Sequence, residues 1–276
     1  IYEAVVVANT TIRDLFFGLD VQPIGERPYK STTELDQDLG LIESTSLSVK
    51  ASQIGLRISP QANVYGGPLI GCHVGADIAA GMLASSMDEE NRTVMLVDIG
   101  TNTEVVIGNR HEFIAASCPA GPAFEGGNIL YGMPGYNGAV ESVRILDNQV
   151  QLKTIGDQPP QGICGSGLVD LLAELRLAGK MDLLGAFVDG SQEFYFAPEQ
   201  GMTLSRSDIS VLAQAKSANF CGQFILLREY DIHPSQVENL YLAGAFANYI
   251  DIVSYTHLRA HETRHDLVCR LLLEKK

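Results

Sequence analysis

The sequence has no uninterrupted apolar run near the roughly 18 to 20 residues that a membrane-spanning helix requires. Its first residues, Ile1 to Ala8, carry neither a basic flank nor a cleavage site, so no signal peptide is read there. The chain is read as cytoplasmic, without a membrane partner. Basic residues are scarce: 19 Lys plus Arg stand against 33 Asp plus Glu, and the net charge of −14 argues against nucleic acid as a partner. The five cysteines, Cys72, Cys118, Cys164, Cys221 and Cys269, are scattered singly without a CxxC pair. No sequence-local set can hold zinc or an iron-sulfur centre, and each is read as a reduced thiol. A repeat of short period is also missing. What is present is 46% hydrophobic residues in a 276-residue chain, ample for one large domain or two ordinary ones.

Both ends stand apart. Ile1 opens inside a strand-like run with no initiator Met, so the natural polypeptide is expected to begin earlier. Residues 253–276 carry three of the six His and five of the 19 basic residues. Leu267, Leu271 and Leu272 have helical spacing, the mark of a natural amphipathic helix. The segment also resembles the read-through translation of a sequencing-library adapter, with SYTHLRAHET as its constant part, and is expected to be a non-native tail.

Strand, turn and helix signals alternate along the chain as in α/β proteins. A buried strand at Ile1 to Ala8 leads through Asn9-Thr10-Thr11 into a short helix stopping at Gly18, and residues 20–60 are irregular apart from a weak strand near Ser46 to Val49. A glycine-rich loop, Gly66 to Gly71, precedes a helix of small residues opened by Gly75 and Asp77. Three strands follow as a meander, Thr93 to Ile99, Glu104 to Ile107 and a run through Phe113 to Ala116. Next come a hairpin at Val140 to Leu146 and Val150 to Ile155 with an Asp147-Asn148 turn, and a helix from Leu168 to Ala178 ending at Gly179. A long helix begins near Ser205, where Asp208 completes a capping-box pattern, and Val237 to Leu242 is a strand.

The strongest chemical signal is Asp98-Ile99-Gly100-Thr101-Asn102-Thr103. A carboxylate ending a buried strand can hold hydrated Mg²⁺, and a Gly/Thr hairpin can offer N–H groups and hydroxyls to a phosphate; the same residues also suit an ordinary hairpin. Asp77 reads equally as a helix cap or as a residue that orients water or links to Mg²⁺. The Gly165-Ser166-Gly167 turn reads equally as an anion site or as a tight turn with Ser166 as N-cap. His73 stands alone in a glycine loop and is read as structural.

Asp98 to Glu104 resembles the second phosphate-binding hairpin of the acetate and sugar kinase, heat-shock chaperone and actin superfamily, and NLYLAGAFA at 239–247 resembles its adenosine motif. Within that superfamily, VVVANTTIRDLFFGLD, GCHVGADIAA, DIGTNTEVVIGNRH, ASCPAGPAFEGGNI and GICGSGLVDLL together resemble the reductive activators of corrinoid proteins across nearly all of residues 1–252. The resemblance implies an actin-like α/β ATPase with ribonuclease-H-like lobes, truncated at both ends. Residues 1–92 would be the remainder of a first lobe, 93–252 the second lobe, and 253–276 the non-native tail. It implies ATP and Mg²⁺ as ligands, an iron-sulfur cluster only in an N-terminal domain upstream of Ile1, and a corrinoid protein or corrinoid-dependent methyltransferase as partner. The implied activity is ATP-driven reduction of cob(II)amide to cob(I)amide.

The resemblance also implies site residues. Asp98 would hold Mg²⁺ and, with Asp77, serve catalysis; Gly100, Thr101, Asn102 and Thr103 would bind phosphate. Glu125 in the loop with Gly126 and Gly127, and Lys216 on the long helix, would contact ribose and adenine, Lys216 having room beside Ala213, Ala215 and Ala218. Gly165, Ser166, Gly167, Gly244 and Ala245 would complete the nucleotide site, although Ala245 and Ala247 stand where the family's loop has glycine. An activator of acyl-CoA dehydratases or reductases, a small-molecule kinase with its substrate facing Asp77, and a non-catalytic scaffold are the other readings. A fragment of this kind is expected to hydrolyse ATP poorly alone and to associate through an unpaired strand edge near Val5 to Val7, as in a homodimer.

Overall fold

The computed structural model describes residues 1–244, 249–251, 254 and 269–271. The first strand, β1 (Glu3–Val6), leads into α1 (Thr10–Phe16), where the side chain of Asn9 accepts the Ile12 N–H at 2.9 Å. Two further helices, α2 (Gln22–Gly25) and α3 (Thr32–Asp38), precede β2 (Leu47–Lys50) and β3 (Asn63–Gly66). Helix α4 (Ala76–Ala84) then leads to β4 (Val94–Ile99), β5 (Thr103–Asn109) and β6 (Glu112–Cys118). Strands β7 (Ala139–Leu146), β8 (Gln149–Thr154) and β9 (Gly162–Ile163) precede α5 (Gly165–Leu177). A hairpin of β10 (Glu193–Ala197) and β11 (Met202–Ser205) runs into α6 (Arg206–Glu229), and β12 (Asn239–Ala243) follows. Residues Cys269–Leu271 form β13, a strand parallel to β12. Leu271 therefore lies in a strand and not in the helix that its spacing allows, while most of 253–276 lies outside the described residues.

Two compact units divide the chain, Ile1–Leu96 with Val106–Ser117, and Val97–Val105 with Cys118–Lys276. In the first, the sheet order β1-β3-β2 puts β1 at an edge, parallel to β3. The expected buried strand over Ile1 to Ala8 is thus corrected: it is four residues long, and Val5 is 66% exposed on a sheet face that it shares with exposed Tyr65 and Ser48. Residues 20–60, irregular in sequence, are fixed by a buried polar network. The Arg13 guanidinium pairs with Asp14 at 2.7 Å and donates to the carbonyls of Thr45 and Gly67 at 2.9 and 3.0 Å and to the Thr33 hydroxyl at 2.9 Å. Asp14 in turn accepts the hydroxyl of Ser31, the N-cap of α3, at 2.6 Å.

In the second unit, Leu168, Leu171 and Leu175 of α5 pack with Val140 and Val143 of β7, Phe196 and Leu204 of the β10–β11 hairpin, and Ile209 and Leu212 of α6. The turn between β7 and β8 has positive φ at both Asp147 and Asn148, the geometry whose twist matches that of paired strands. The capping box at Ser205 and Asp208 starts α6 as the sequence predicts. Strands β12, β4, β5 and β6 are neighbours in that order within a five-stranded sheet, so β4 is a central strand. Among the described residues no helix is long and apolar enough to cross a membrane.

Candidate functional site

Four segments of the second unit converge around the C-terminal end of β4. Val97 and Ile99 are buried, whereas Asp98 between them is half-buried, so its carboxylate sits where the central strand reaches the surface. The chain turns at Gly100, whose N–H donates to the Asn102 carbonyl at 2.9 Å, leaving Thr101 and Asn102 exposed at the hairpin tip. Strand β12 ends beside this tip. Gly244, directly after it, has φ +90°, and a methyl group placed there would stand 2.6 Å from Asp98 Oδ1 and 2.8 Å from the Ile99 carbonyl oxygen. Only glycine fits that approach.

The loop after β6 is stitched to the same tip. The Thr101 hydroxyl donates to Glu125 Oε2 at 2.8 Å, and the Gly121 N–H donates to the Thr101 carbonyl at 2.8 Å. Glu125 closes a single 3₁₀ turn, Pro122–Glu125, which Gly126 ends in left-handed conformation. A side chain on Gly126 would stand 2.5 Å from the Met133 nitrogen, and one on Gly127 would stand 2.7 Å from Pro122, so both glycines fold the loop tightly on itself.

Not every predicted residue reaches the surface here. Thr103 is fully buried, and its Oγ1 accepts from Asn219 Nδ2 of α6 at 3.4 Å. Gly165, Ser166 and Gly167 are packed beneath β7: the Ser166 hydroxyl donates to the Glu141 carbonyl at 2.9 Å, and a side chain on Gly167 would overlap the Val140 carbonyl. Ser166 is not the N-cap, which is Cys164. Lys216 is half-buried on α6, but Ala215 belongs to the core and Ala213 is exposed, so those two do not flank it as a common small-residue surface. Asp77, in the first unit, accepts the N–H of Ile78 at 2.9 Å at the start of α4, and His73 is exposed. Ala245 lies outside the described residues.

Sequence reasoning missed Asn219, Gln223 and Gly222. Gln223 Nε2 donates to Asn219 Oδ1, and both side chains are buried. A side chain on Gly222 would overlap Cys118 Sγ, so glycine there is what lets α6 lie against the end of β6. Burial pushes the Cys118 thiol up, with smaller contributions from Cys221 and Glu104. These residues carry no motif; their spacing of three and four along α6 is a faint signal that one polar stripe is buried.

Comparison with known proteins places this geometry. Residues 92–258 match the family described as the C-terminal domain of RACo, the ASKHA domain, and residues 1–90 match the family described as the RACo middle region. The chain belongs to the RACo family. The solved structure of a reductive activator for corrinoid, iron-sulfur protein has the same fold as this RACo-family chain, with a TM-score of 0.79 and 33% identity over 92% of the chain and 42% of its own. The corrinoid activation enzyme RamQ of Eubacterium limosum is 32% identical over 91% of the chain and 44% of its own length. The [Co(II) methylated amine-specific corrinoid protein] reductase of Methanosarcina barkeri is 24% identical over 88% of the chain and 46% of its own length. The chain thus spans less than half the length of the curated relatives it matches. The actin-like α/β fold expected from the sequence is the fold of the RACo ASKHA domain.

A nucleotide with Mg²⁺ can be tested against this RACo-family geometry. Mg²⁺ retains most of its waters and binds through one or two carboxylates plus phosphates, so the single half-buried Asp98 beside an exposed hairpin suits it. A phosphate chain needs close backbone approach, and the side-chain-free Gly244 beside Asp98 supplies one. Among the described residues no group of three His, Cys, Asp or Glu is arranged to hold a metal ion.

Proposed function

We propose that the chain is the nucleotide-binding part of an ATP-driven activator that returns a corrinoid protein from the Co(II) to the Co(I) state. The observation that carries this reading is the meeting of Asp98, the Gly100–Asn102 turn and Gly244 at the end of β4 in a RACo-family chain. Corrinoid specificity is supported by the relatives: one is a corrinoid activation enzyme, one a reductase of a methylated amine-specific corrinoid protein, and one a reductive activator for corrinoid, iron-sulfur protein.

The chain's own residues divide the work as follows. Backbone N–H groups at Thr101 and Asn102 bind phosphate oxygens. Glu125 receives the Thr101 hydroxyl and so fixes the tip before nucleotide arrives. Gly244 lets the backbone at the end of β12 approach the phosphates, and Lys216 serves the adenosine end. Asp98 would hold Mg²⁺, which would supply charge neutralisation at the phosphates. Hydrolysis breaks the terminal P–O bond as water oxygen attacks phosphorus; the nucleotide leaves as ADP, and the water's protons pass to phosphate and solvent. Fixed N–H dipoles stabilise the charge on the transferred group. Reduction of Co(II) to Co(I) consumes one electron, which a low-potential donor would supply. Gly165 to Gly167, being buried, take a packing role. Asp77 lies in the first turn of α4, whose N-cap is Gly75, and takes a helix-start role by accepting the Ile78 N–H and placing negative charge at the helix N-terminus.

The test is Mg²⁺-dependent ATP hydrolysis by the full-length protein and its Asp98→Asn variant. The nearly isosteric change is expected to abolish turnover with the circular-dichroism spectrum unchanged. Retained turnover removes Asp98 from the mechanism.

A further inference from the structure

The contact between α6 and the base of the phosphate hairpin contains a chain of three polar side chains where an apolar one would pack as well. Gln223 Nε2 donates to Asn219 Oδ1, and Asn219 Nδ2 donates to Thr103 Oγ1 at 3.4 Å. The three are 5%, 7% and 0% exposed. Their neighbours along the helix, Leu212, Ala215, Gly222 and Leu226, are buried and apolar or side-chain-free. A buried amide without partners costs about 1–3 kcal/mol, so a satisfied polar chain adds little stability over a hydrocarbon contact of the same shape. What it adds is geometry, because hydrogen bonds fix direction and register where apolar contacts slide.

The register fixed here matters because of what lies at each end. Thr103 is the first residue of β5 and directly follows the Thr101-Asn102 tip. Asn219 lies one turn along α6 from Lys216. Gly222, two turns from Ala215, draws the same helix close against Cys118 at the end of β6. Helix and hairpin are therefore held at short range by glycine and in fixed register by Asn219.

We infer that Asn219 is a positioning residue for the phosphate hairpin: through Thr103 it sets the angle of the tip relative to the helix that carries Lys216, and Gln223 holds Asn219 in that rotamer. The inference rests on the nucleotide-site reading above. It assigns the link to the catalytic step more than to nucleotide binding, since ADP can be held by the adenosine end alone while the terminal phosphoryl group needs the tip in place.

The experiment uses the full-length protein and compares wild type with Asn219→Leu, Thr103→Val and both together. ATP turnover, the KM for ATP, MgADP affinity by calorimetry and melting temperature are measured on each. Asn219→Leu is expected to lower kcat by about tenfold or more while KM and the ADP dissociation constant change by less than about threefold. Thr103→Val gives a similar loss, and the double variant is no worse than either single one, the signature of one shared contact. If Asn219→Leu does not fold, Asn219→Ser, which is too short to reach Thr103, carries the same comparison. Unchanged kcat, losses that add in the double variant, or kcat and ADP affinity falling together with melting temperature each overturn the inference. Running Asp98→Asn in parallel separates the two levels. Turnover that survives that change, or is missing from wild type, defeats the nucleotide-site reading. Turnover abolished by Asp98→Asn yet untouched by Asn219→Leu defeats the positioning role alone.

Discussion

Gly244 is the residue on which the site places the narrowest demand. Its φ of +90° is one that side-chain-bearing residues rarely adopt, and a methyl group would press on Asp98 Oδ1 at 2.6 Å and on the Ile99 carbonyl at 2.8 Å. Gly244→Ala is expected to cost about 1–3 kcal/mol of stability from strain and crowding. Because the crowding falls on Asp98, MgATP affinity should drop by about tenfold or more, which denaturant unfolding and calorimetry would measure separately. Unaltered affinity would show that the backbone after β12 is not part of the site. Cys118 offers a second residue-scale check. Burial first, then Cys221 and Glu104, raise its pKa, so less thiolate is present at a given pH than on an ordinary cysteine. Alkylation mapped by mass spectrometry should label exposed Cys221 well before Cys118, and the Cys118 rate should still be rising at about pH 9.5, where an ordinary thiol, half-ionised near about pH 8.5, has almost levelled off. Early labelling of Cys118 would mean that α6 and β6 are not packed as described.

Helix α6 is the element that ties the second unit together, and its start and its middle were not equally readable. Ser205 and Asp208 announce the N-terminus by a local rule, since the capping box needs residues only three apart. The Asp147-Asn148 turn was readable for the same reason: both residues tolerate positive φ, and the strands flank them directly. Gly222 was not, because a glycine inside a helix states its purpose only when the neighbour, here Cys118 more than 100 residues away, is known. Its replacement by Ala would gain about 0.5–1 kcal/mol of helix propensity. The overlap with Cys118 Sγ should outweigh that gain and give net destabilisation of about 1–3 kcal/mol, relieved by Cys118→Ala in the same chain. Equal stability of Gly222→Ala and wild type in urea titrations would contradict the close packing. Strand β3, the β10–β11 hairpin and helices α2 and α3 escaped for a related reason. They are short, and in the first unit long-range contacts, those of buried Arg13 with Thr45 and Gly67 among them, hold their surroundings. Asn219 and Gln223 were invisible because polar residues on a long helix ordinarily face water.

At the scale of the whole molecule, two family matches divide the chain at residues 90 and 92, and the second covers the strand, hairpin, loop and helix that form the candidate site. The fold and the hairpin motif were legible because they depend on a run of adjacent residues. The pairing of Gly244 with Asp98 was legible only through the family resemblance, since 146 positions separate them in sequence. The proposed function joins a nucleotide site to the reduction of a corrinoid protein. The measurement that tests that join most directly follows the absorbance of a corrinoid protein held in the Co(II) state, mixed with the full-length activator and a low-potential electron donor. The account predicts that Co(I) accumulates only when MgATP is added and that Asp98→Asn leaves the cobalt as Co(II). Equal Co(I) formation with and without ATP, or with the Asp98→Asn variant, would contradict it.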